Sequence, residues 1–470
     1  MEIILRDYQK DAVDQCRLAY SKGRKRILYV LPTGGGKTFT FCDLTKKALL
    51  KHNKTLILVH RDELLYQASM SLSKMNINHG LIKAGRIMDL TQSVQVASVW
   101  TLISRIDELK TLDPDFIIVD EAHHATAGTW RQIIDFYQGV WVLGVTATPC
   151  RGDGKGLGID HGGIFDTLIE GPSIRTLIDQ GYLCDYDLYN PPIGIDLSDV
   201  KKANGDYVRK QLANAMNRPK ITGCAVEHYI RMAKHKPAIA FCVSVDHAEQ
   251  VAAQFREQGL RSTCIHGKTP EPDREGAIRS LGNGSLDVLT SCDLISEGTD
   301  IPIAEVAILL RPTHSLSLYL QQVGRVLRPG ENKRALILDH VGNCFKHGWP
   351  CDEREWSLDG VKKKTRREVA ELLIKIKACP NCFQVNRPAT HCAYCGFEFP
   401  TDTPELKQIE GELTRLTPEE RKALVKKNKQ AQAGARTYDD LVQLGIQKGM
   451  KNPYGWARHV MNAREAKQQR

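Results

Sequence analysis

The chain has 470 residues, of which 42% are hydrophobic and 26% charged. This length exceeds the roughly 250–300 residues that one hydrophobic core holds, so we expect two large domains and small appendages. No run of about 18 apolar residues is present, which argues against a membrane span. The acidic start Met1–Asp7 lacks a signal-peptide core. We therefore expect a cytoplasmic chain without a membrane partner.

The net charge of +10 is confined to the last quarter of the chain. Residues 361–470 hold 22 Lys and Arg against 12 Asp and Glu, and the remainder is balanced. A basic appendage on a neutral body suggests a polyanionic partner, above all a nucleic acid. A solvated, highly charged helical tail explains the same composition equally well.

Short apolar runs alternate with helical patterns in two successive parts of the chain. The runs are 27–31, 55–59, 116–119 and 142–145, then 237–243, 288–290, 306–310 and 335–338. Buried strands separated by helices are typical of parallel sheets with crossover helices, so the predicted fold class is α/β with two tandem units. The segment 186–235 is interpreted as a linker with helices of the second unit.

Four regions are predicted from these patterns and from composition. They are a first α/β domain at 1–185, a second at 186–360, a cysteine module at 361–400 and a basic helical tail at 401–470.

A glycine-rich loop follows the first predicted strand, with the sequence Pro32-Thr33-Gly34-Gly35-Gly36-Lys37-Thr38. Three glycines let backbone N–H groups wrap a phosphate at the start of the next helix. Lys37 is the candidate ligand of the β- and γ-phosphates, and the Thr38 hydroxyl is a candidate Mg²⁺ ligand. Leu31 stands where the common pattern has its first glycine. The strand–loop–helix context disfavours the alternative, a flexible turn.

Carboxylates follow the predicted strand 116–119, in the sequence Asp120-Glu121-Ala122-His123. The end of a parallel strand faces the crevice where ligands bind. Asp120 is therefore a candidate Mg²⁺ anchor, and Glu121 a candidate base that orients or deprotonates the attacking water.

An arginine pair in the second unit supplies the third element, within Gln322-Val323-Gly324-Arg325-Val326-Leu327-Arg328. Charge that develops on the γ-phosphate needs a cation from outside the loop. Arg325 and Arg328 are three residues apart and would share one helix face. From the second unit they would reach ATP only when the two units close. An exposed basic helix is the alternative.

Together these motifs resemble superfamily 2 helicases of the DEAH type and, more narrowly, the RadD family of bacterial and phage DNA-repair ATPases. The resemblance covers about residues 4–400. It implies two RecA-like domains, ATP and Mg²⁺ as cofactors, and DNA as partner.

The resemblance also implies roles for residues outside these three motifs. It implies nucleotide contacts for Arg6, Gln9, Thr33, Gly34, Gly35, Gly36, Gly298 and Asp300, phosphate contacts to nucleic acid for Arg61 and Thr101, and coupling of hydrolysis to nucleic-acid binding for His123, Thr146, Thr148 and Gln322.

Four cysteines form two CxxC pairs, Cys379 with Cys382 and Cys392 with Cys395. Four thiolates at this spacing can close a tetrahedral Zn²⁺ site. A closed site leaves no open position, so the metal would be structural. A pair of disulfides is the alternative, which a reducing cytosol disfavours.

The end of the tail interleaves aromatic and basic residues, including Tyr454 and Trp456. Stacking of an unpaired base on such rings is worth ~1–3 kcal/mol per base. Packing of Trp456 against helices of the tail is an equally good interpretation.

These features favour an ATP-hydrolysing DNA helicase or translocase in repair, recombination or replication. Single-stranded or branched DNA is the expected partner, with repair or replication proteins as further ones. Three alternatives stay open: an RNA helicase, the motor of a restriction enzyme, and a scaffold whose ATPase gates partner recruitment. After residue 360 we find no convincing nuclease motif, which weighs against the second.

Overall fold

A computed structural model divides the chain into two compact units, Met1–Pro400 and Thr401–Arg470. It describes residues 4–85, 88–105, 108–125, 128–151, 155–190, 200–203, 206–216, 219–292, 304–360, 376–399, 434–435, 437–447, 457–458 and 460–461.

The first unit contains two large sheets. The strands of the first are β1 (Arg26–Val30), β2 (Thr55–Val59), β3 (Gly80–Ile82), β4 (Val94–Ser98), β5 (Phe116–Asp120), β6 (Trp141–Thr146) and β7 (Thr167–Glu170). Their spatial order is β3-β4-β2-β5-β6-β1-β7, and neighbouring strands are parallel.

Helices cover both faces of this sheet. We call the sheet and these helices domain 1. They are α1 (Asp7–Ser21), α2 (Lys37–Leu49), α3 (Asp62–Lys74), α4 (Val99–Ser104), α5 (Leu109–Leu112) and α6 (Gly128–Phe136). Alternate residues of β1 face opposite cores, because side chains of a strand alternate between its two faces. Ile27 and Tyr29 pack with Leu65 of α3, whereas Leu28 packs with Trp130 of α6.

The second sheet has six strands and forms domain 2. They are β8 (Tyr186–Tyr189), β11 (Ala238–Phe241), β12 (Ser262–Ile265), β13 (Val288–Ser291), β14 (Val306–Leu309) and β15 (Ala335–Asp339). The spatial order is β12-β13-β11-β14-β15-β8, and all these neighbours are parallel. A separate antiparallel hairpin pairs β9 (Lys202–Ala203) with β10 (Asp206–Tyr207).

The next helices along the chain connect strands of the second sheet or pack against it. They are α7 (Ile174–Asp179), α8 (Arg209–Met216), α9 (Pro219–Ala233), α10 (Val245–Glu257), α11 (Glu271–Gly282), α12 (Leu316–Gly324) and α13 (Asn343–His347). Leu177 and Ile178 of α7 lie in the core of domain 2. The predicted domain boundaries stay predictions.

All eight predicted strands are present, each within two residues of its predicted ends. Five further strands of the large sheets are absent from the prediction: β3, β4, β7, β8 and β12. The segment 186–235 does contain helices, but β8 within it pairs with β15 and closes the edge of the second sheet.

The chain returns to domain 1 after α13. The backbone N–H of Gly158 donates to the carbonyl of Leu358 at 2.9 Å, and Trp356 and Leu358 pack against a core of domain 1. A Cβ at Gly156 would lie 2.1 Å from the Leu358 carbonyl oxygen, so this approach requires glycine. The segment therefore links the two domains a second time.

The second unit, residues 401–470, is described in part. Helix α14 (Tyr438–Gln447) places Leu441 and Val442 in a small core with Ala457 and Val460. Tyr454 and Trp456 lie outside the described residues. Among the described residues, no helix combines the length and apolar composition needed to cross a membrane.

Candidate active site

The glycine-rich loop joins β1 to α2 at the edge where the parallel strands end. Gly34 and Gly36 have φ angles of 86° and 88°, which L side chains rarely adopt, and Gly36 caps α2. A Cβ at Gly35 would lie 2.7 Å from the Leu31 side chain. Leu31, which stands where the common pattern has its first glycine, thus packs tightly against the loop.

Lys37 opens α2 directly behind the loop. Its ammonium donates a hydrogen bond to the Leu31 carbonyl at 3.3 Å, and it lines the same cleft as Thr38. The predicted phosphate and Mg²⁺ ligands of this loop are therefore adjacent.

Asp120 and Glu121 lie where β5 ends. The Glu121 N–H donates to a carboxylate oxygen of Asp120 at 2.9 Å, and Glu121 has a φ of 47°. Burial and the charge of Glu121 raise the pKa of Asp120 to about 6, against the opposing effect of Lys37. A divalent cation relieves such crowding of buried negative charge, so Asp120 with Thr38 fits a Mg²⁺ site.

One cleft of about 730 Å³ separates the two domains, within the 300–1,000 Å³ range of small-molecule sites. From domain 1 it is lined by Gly34, Gly36, Lys37, Thr38, Asp120 and Glu121, and from domain 2 by Arg325 and Arg328. The structure thus brings the three predicted elements together.

The helix face predicted for the arginine pair is wrong. Helix α12 ends at Gly324, Arg325 caps it, and Arg328 lies in a bend beyond it. Arg328 precedes Pro329, and a residue before proline disfavours helical backbone. Both arginines nonetheless reach the cleft. Burial lowers the pKa of Arg328 to about 10, which keeps it charged at neutral pH.

The end of α12 contacts the glycine-rich loop 32–38, called the phosphate loop below, across the interface between the two domains. A Cβ at Gly324 would lie 2.6 Å from Cβ of Thr33 and 2.9 Å from its methyl carbon. A side chain here must displace one domain from the other, because Cβ of a β-branched residue cannot turn away. Gly324 therefore sets how closely Arg325 approaches the loop.

Gly324→Ala is expected to lower kcat for ATP hydrolysis by about a hundredfold, since misplacing a catalytic group by about 1 Å has that order of effect. Gly276→Ala is the matched control, because Gly276 lies in helix α11 of the same domain with open space at its Cβ position. Steady-state ATPase rates test the pair. Equal rates for the two variants would show that the Gly324–Thr33 contact does not matter.

Three of the four predicted coupling residues, His123, Thr146 and Thr148, form a buried network behind Glu121. The Thr146 hydroxyl donates to the Thr148 carbonyl at 3.0 Å, so it accepts from Nδ1 of His123, 3.1 Å away. The same nitrogen lies 3.4 Å from a carboxylate oxygen of Glu121. His123 therefore carries its proton on Nδ1 and connects Glu121 to the segment after β6.

A cluster of three histidine rings in tilted contact extends this network, and the sequence interpretation missed it. The His124 ring lies 4.1 Å from that of His123 and 4.7 Å from that of His60, which follows β2. His124 reads as a surface residue because the carboxylate chemistry does not need it. These rings connect the end of β5 to the end of β2, the strand that leads into Arg61.

Gln9 and Arg6 lie beside the phosphate loop. The Gln9 amide is buried and donates to the carbonyls of Gly35 and Gly36 at 3.3 and 3.2 Å. The Arg6 guanidinium lies 4.5 Å from the Tyr182 ring and lines the cleft. Gln9 thus holds the loop through hydrogen bonds to its backbone. Contact of Gln9 or Arg6 with the adenine of a bound nucleotide stays a prediction.

The chain matches two protein-family models and is similar to several other proteins. Residues 2–151 match the family model of the type III restriction enzyme res subunit, and residues 223–330 match the helicase conserved C-terminal domain. The 51.5 kDa protein of a Lactococcus phage is 33% identical over 90% of this chain and 89% of its own length. Putative ATP-dependent helicase IRC3 of Saccharomyces cerevisiae is 34% identical over 72% of this chain and 52% of its own length. The chain belongs to the superfamily 2 helicases.

A solved structure agrees with the fold of this helicase. A fragment of a putative HsdR subunit of a type I restriction enzyme from Vibrio vulnificus superposes with a TM-score of 0.56 at 21% identity, over 74% of this chain and 68% of that one. The predicted pair of RecA-like domains is confirmed. The helicase family models and the named ATP-dependent helicase among the relatives show that the enzyme hydrolyses ATP.

The two residues predicted to contact nucleic-acid phosphates differ in how far their side chains are buried. Arg61 caps α3 at the edge of domain 1 and is half-buried. Thr101 is buried, and its hydroxyl accepts a hydrogen bond from the Ala84 N–H at 3.1 Å. The neighbouring Trp100 is 61% exposed. On this segment, Trp100 therefore presents its side chain to solvent.

The remaining predicted residues of the helicase are Gln322, Gly298 and Asp300. Gln322 is buried in α12, two residues before the Gly324 contact. Gly298 and Asp300 lie outside the described residues.

The four cysteines of the predicted module converge as expected. Their sulfur atoms all lie within 4.8 Å of one another, and Cys379–Cys395 and Cys382–Cys392 are each 3.6 Å apart. Zinc–sulfur bonds of about 2.3 Å in a tetrahedron give sulfur separations of about 3.8 Å. A hydrogen bond from the Phe397 N–H lowers the pKa of Cys395 to about 6, which favours the thiolate that binds zinc.

This module, residues 376–399, packs against the β8 edge of domain 2. The Asn190 N–H donates to the Phe383 carbonyl at 2.9 Å, and the Arg231 guanidinium lies 5.7 Å from the Phe383 ring. The Arg387 guanidinium pairs with Asp352 at 3.1 Å. Loss of the module would therefore expose an edge of the second sheet.

Cys392→Ser combined with Cys395→Ser is expected to reduce bound zinc from about one per chain to near zero and to lower the temperature of the first unfolding transition, because metal binding folds such modules. Metal analysis and calorimetry test this. Cys264→Ser, which alters an isolated cysteine of β12, should retain the metal. Full zinc content in the double variant would contradict the Cys₄ assignment.

Proposed function

We propose that this helicase is a DNA-dependent ATPase of the DEAH type, similar to the RadD family, that translocates along DNA. One observation carries the proposal: a single cleft is lined by Lys37, Asp120 and Glu121 from domain 1 and by Arg325 and Arg328 from domain 2. Hydrolysis at a site shared by two domains is sensitive to their separation, so each cycle of turnover is linked to domain movement.

Each residue of the cleft has a distinct task. The loop N–H groups and Lys37 bind the phosphates, and Thr38 and Asp120 hold Mg²⁺. Bound Mg²⁺ supplies positive charge to the phosphate oxygens. Glu121 positions the attacking water and accepts its proton, while Arg325 and Arg328 stabilise charge that develops on the γ-phosphate.

Coupling to nucleic acid runs through the network behind Glu121. His123 contacts both Glu121 and Thr146, and the rings of His124 and His60, in contact with each other, lead toward Arg61. A strand bound at the Arg61 edge can therefore influence the orientation of Glu121. Gln322 contributes from the domain 2 side, because its helix ends at the Gly324–Thr33 contact.

DNA is the proposed polymer. Among the relatives, one is a DNA 3'-5' translocase XPB2 of Sulfurisphaera tokodaii, 26% identical over 72% of this chain and 82% of its own length. The charge excess of residues 361–470 suits a polyanion, and the exposed Trp100 ring suits stacking on an unpaired base. The resemblance to RadD points to repair, recombination or replication.

The proposal is tested by ATPase rates of the full chain with single-stranded DNA, duplex DNA, forked DNA and RNA of matched length. We expect single-stranded or forked DNA to stimulate turnover most. Greater stimulation by RNA would favour the RNA-helicase alternative. Activity that no polymer changes would favour a scaffold whose ATPase gates partner recruitment.

A restriction motor is the second candidate, because residues 2–151 match the res subunit family model. The chain spans 48% of the EcoAI endonuclease subunit of Escherichia coli, to which it is 24% identical. Incubation of the purified chain with plasmid DNA, ATP and Mg²⁺ distinguishes the candidates. We expect intact plasmid, and cleavage would favour the restriction motor.

A further inference from the structure

A basic and aromatic cluster on domain 2 lies apart from the residues that line the nucleotide cleft. Its centre is Tyr207 of the β9–β10 hairpin, whose ring centroid is 4.5 Å from that of His314. The ammonium groups of Lys202 and Lys346 lie 5.9 and 5.5 Å from the same ring. Two cations and a second ring therefore surround one half-buried tyrosine.

The cluster lies at the edge of domain 2 where its strands end. His314 follows β14, and the hairpin segment packs against Val243, which follows β11. Strands β11 and β14 are neighbours. Strands β12 and β13 lie on the side of β11 that faces away from β14, and β15 lies on the side of β14 that faces away from β11. This is the topological switch point of the sheet, where the crevice at the carboxyl ends of the strands favours ligand binding.

The hairpin is held in place by Asp206. One of its carboxylate oxygens accepts from the Thr313 hydroxyl and the other from the His314 N–H, both at 2.7 Å. Val200 and Leu212, on either side of the hairpin, are buried beneath it with Val243. The cluster is thus built into the fold, and both oxygens of its carboxylate are engaged by neutral donors.

The electrostatics of the cluster favour an anion. Crowding by protein atoms and the charge of Lys202 lower the pKa of Lys346 to about 8, against the opposing charge of Asp206. Burial, with Lys346 and Lys202, lowers the pKa of His314 to about 4, so the ring is neutral. Lys346 therefore stays largely protonated at neutral pH, and a phosphate between the two ammonium groups would relieve their repulsion.

We propose that Lys202 and Lys346 bind a backbone phosphate of a single-stranded DNA segment that crosses this edge of domain 2, with Tyr207 against the adjoining sugar or base. The inference rests on the proposed function. It gives domain 2 a grip of its own, as Arg61 is proposed to give domain 1, and alternate grip by two domains is what translocation requires.

The test is equilibrium binding of a fluorescein-labelled oligothymidylate to the full chain, followed by anisotropy over a range of salt concentrations. Each ammonium that neutralises a phosphate contributes about 0.7 to the slope of log affinity against log salt for single strands. Lys202→Ala with Lys346→Ala should therefore lower the slope by about 1.4. Over the tenfold range from about 1 M to about 0.1 M salt, this change weakens binding about 25-fold.

A matched control removes the same charge from the opposite edge of the sheet. Lys234 and Lys236 are exposed and precede β11, so Lys234→Ala with Lys236→Ala should leave the slope unchanged. A charge-retaining variant, Lys202→Arg with Lys346→Arg, should restore most of the binding. The unfolding temperature of each variant verifies that the hairpin region is folded.

An unchanged slope in the folded double-alanine variant would overturn the inference, as would an equal loss in the control. The proposed function fails differently: the unmutated chain would then show no salt-sensitive binding of DNA and no stimulation by it.

Discussion

Arg325→Ala is expected to lower kcat for ATP hydrolysis by about a thousandfold, the lower end of the effect of a cation supplied to the γ-phosphate from outside the loop. Arg325 directly follows Gly324, the residue in contact with Thr33 of the phosphate loop, and it is 5% exposed in the cleft. We expect its charge to stabilise the transition state more than the bound substrate, so nucleotide affinity should change by much less than kcat.

Single-turnover hydrolysis and binding of a fluorescent ATP analogue measure the two effects separately. Arg279→Ala is the matched control, because Arg279 lines the rim of the same cleft but is 71% exposed and pairs with Glu275. We expect the control to retain kcat within about threefold, in line with the small worth of exposed ion pairs. Comparable losses in both variants would indicate a general effect of positive charge.

Glu121→Gln should reduce kcat by about a hundredfold to ten-thousandfold, the range that a positioned general base contributes. The substitution keeps the size of the side chain and removes the carboxylate that lies beside Asp120 and 3.4 Å from His123. ATP binding should persist because the loop and Lys37 are intact. The variant should therefore accumulate in its ATP-bound form. It should stay bound to DNA in this form, which the unmutated chain leaves after hydrolysis.

Burst-phase quench-flow experiments measure the chemical step in this variant. Glu271→Gln, at an exposed position on the domain 2 side of the cleft, supplies the control and should turn over normally. Retention of more than about a tenth of the unmutated rate by Glu121→Gln would assign the general base to another group.

Strong local patterns allowed much of the site to be predicted from sequence. Apolar runs such as 55–59 and 116–119 become central strands buried throughout, and phosphate loops and acidic boxes lie where such strands end. Their convergence in one cleft follows from the parallel topology, because all carboxyl ends meet at one edge. The paired CxxC spacing was equally informative, since a metal needs its ligands close together.

Other features depend on contacts between distant segments. Strand β8 carries the polar Asp187, whose carboxylate pairs with Arg334, so its apolar pattern is interrupted. The hairpin strands β9 and β10 have two residues each and show no periodicity. Helix α12 ends before Arg328 because of Pro329 and Gly324, and the need for glycine at 324 arises only from Thr33, almost 300 residues earlier.

The most direct test of a DNA-stimulated site shared by two domains is the steady-state ATPase rate of the full chain during a titration with single-stranded DNA, with Lys37→Ala prepared in parallel. Lys37 lines the cleft and is the proposed phosphate ligand on which the site depends. We expect the rate of the unmutated chain to rise and saturate with DNA, and that of Lys37→Ala to stay at background throughout. Undiminished, DNA-stimulated hydrolysis by Lys37→Ala would contradict the assignment of the site.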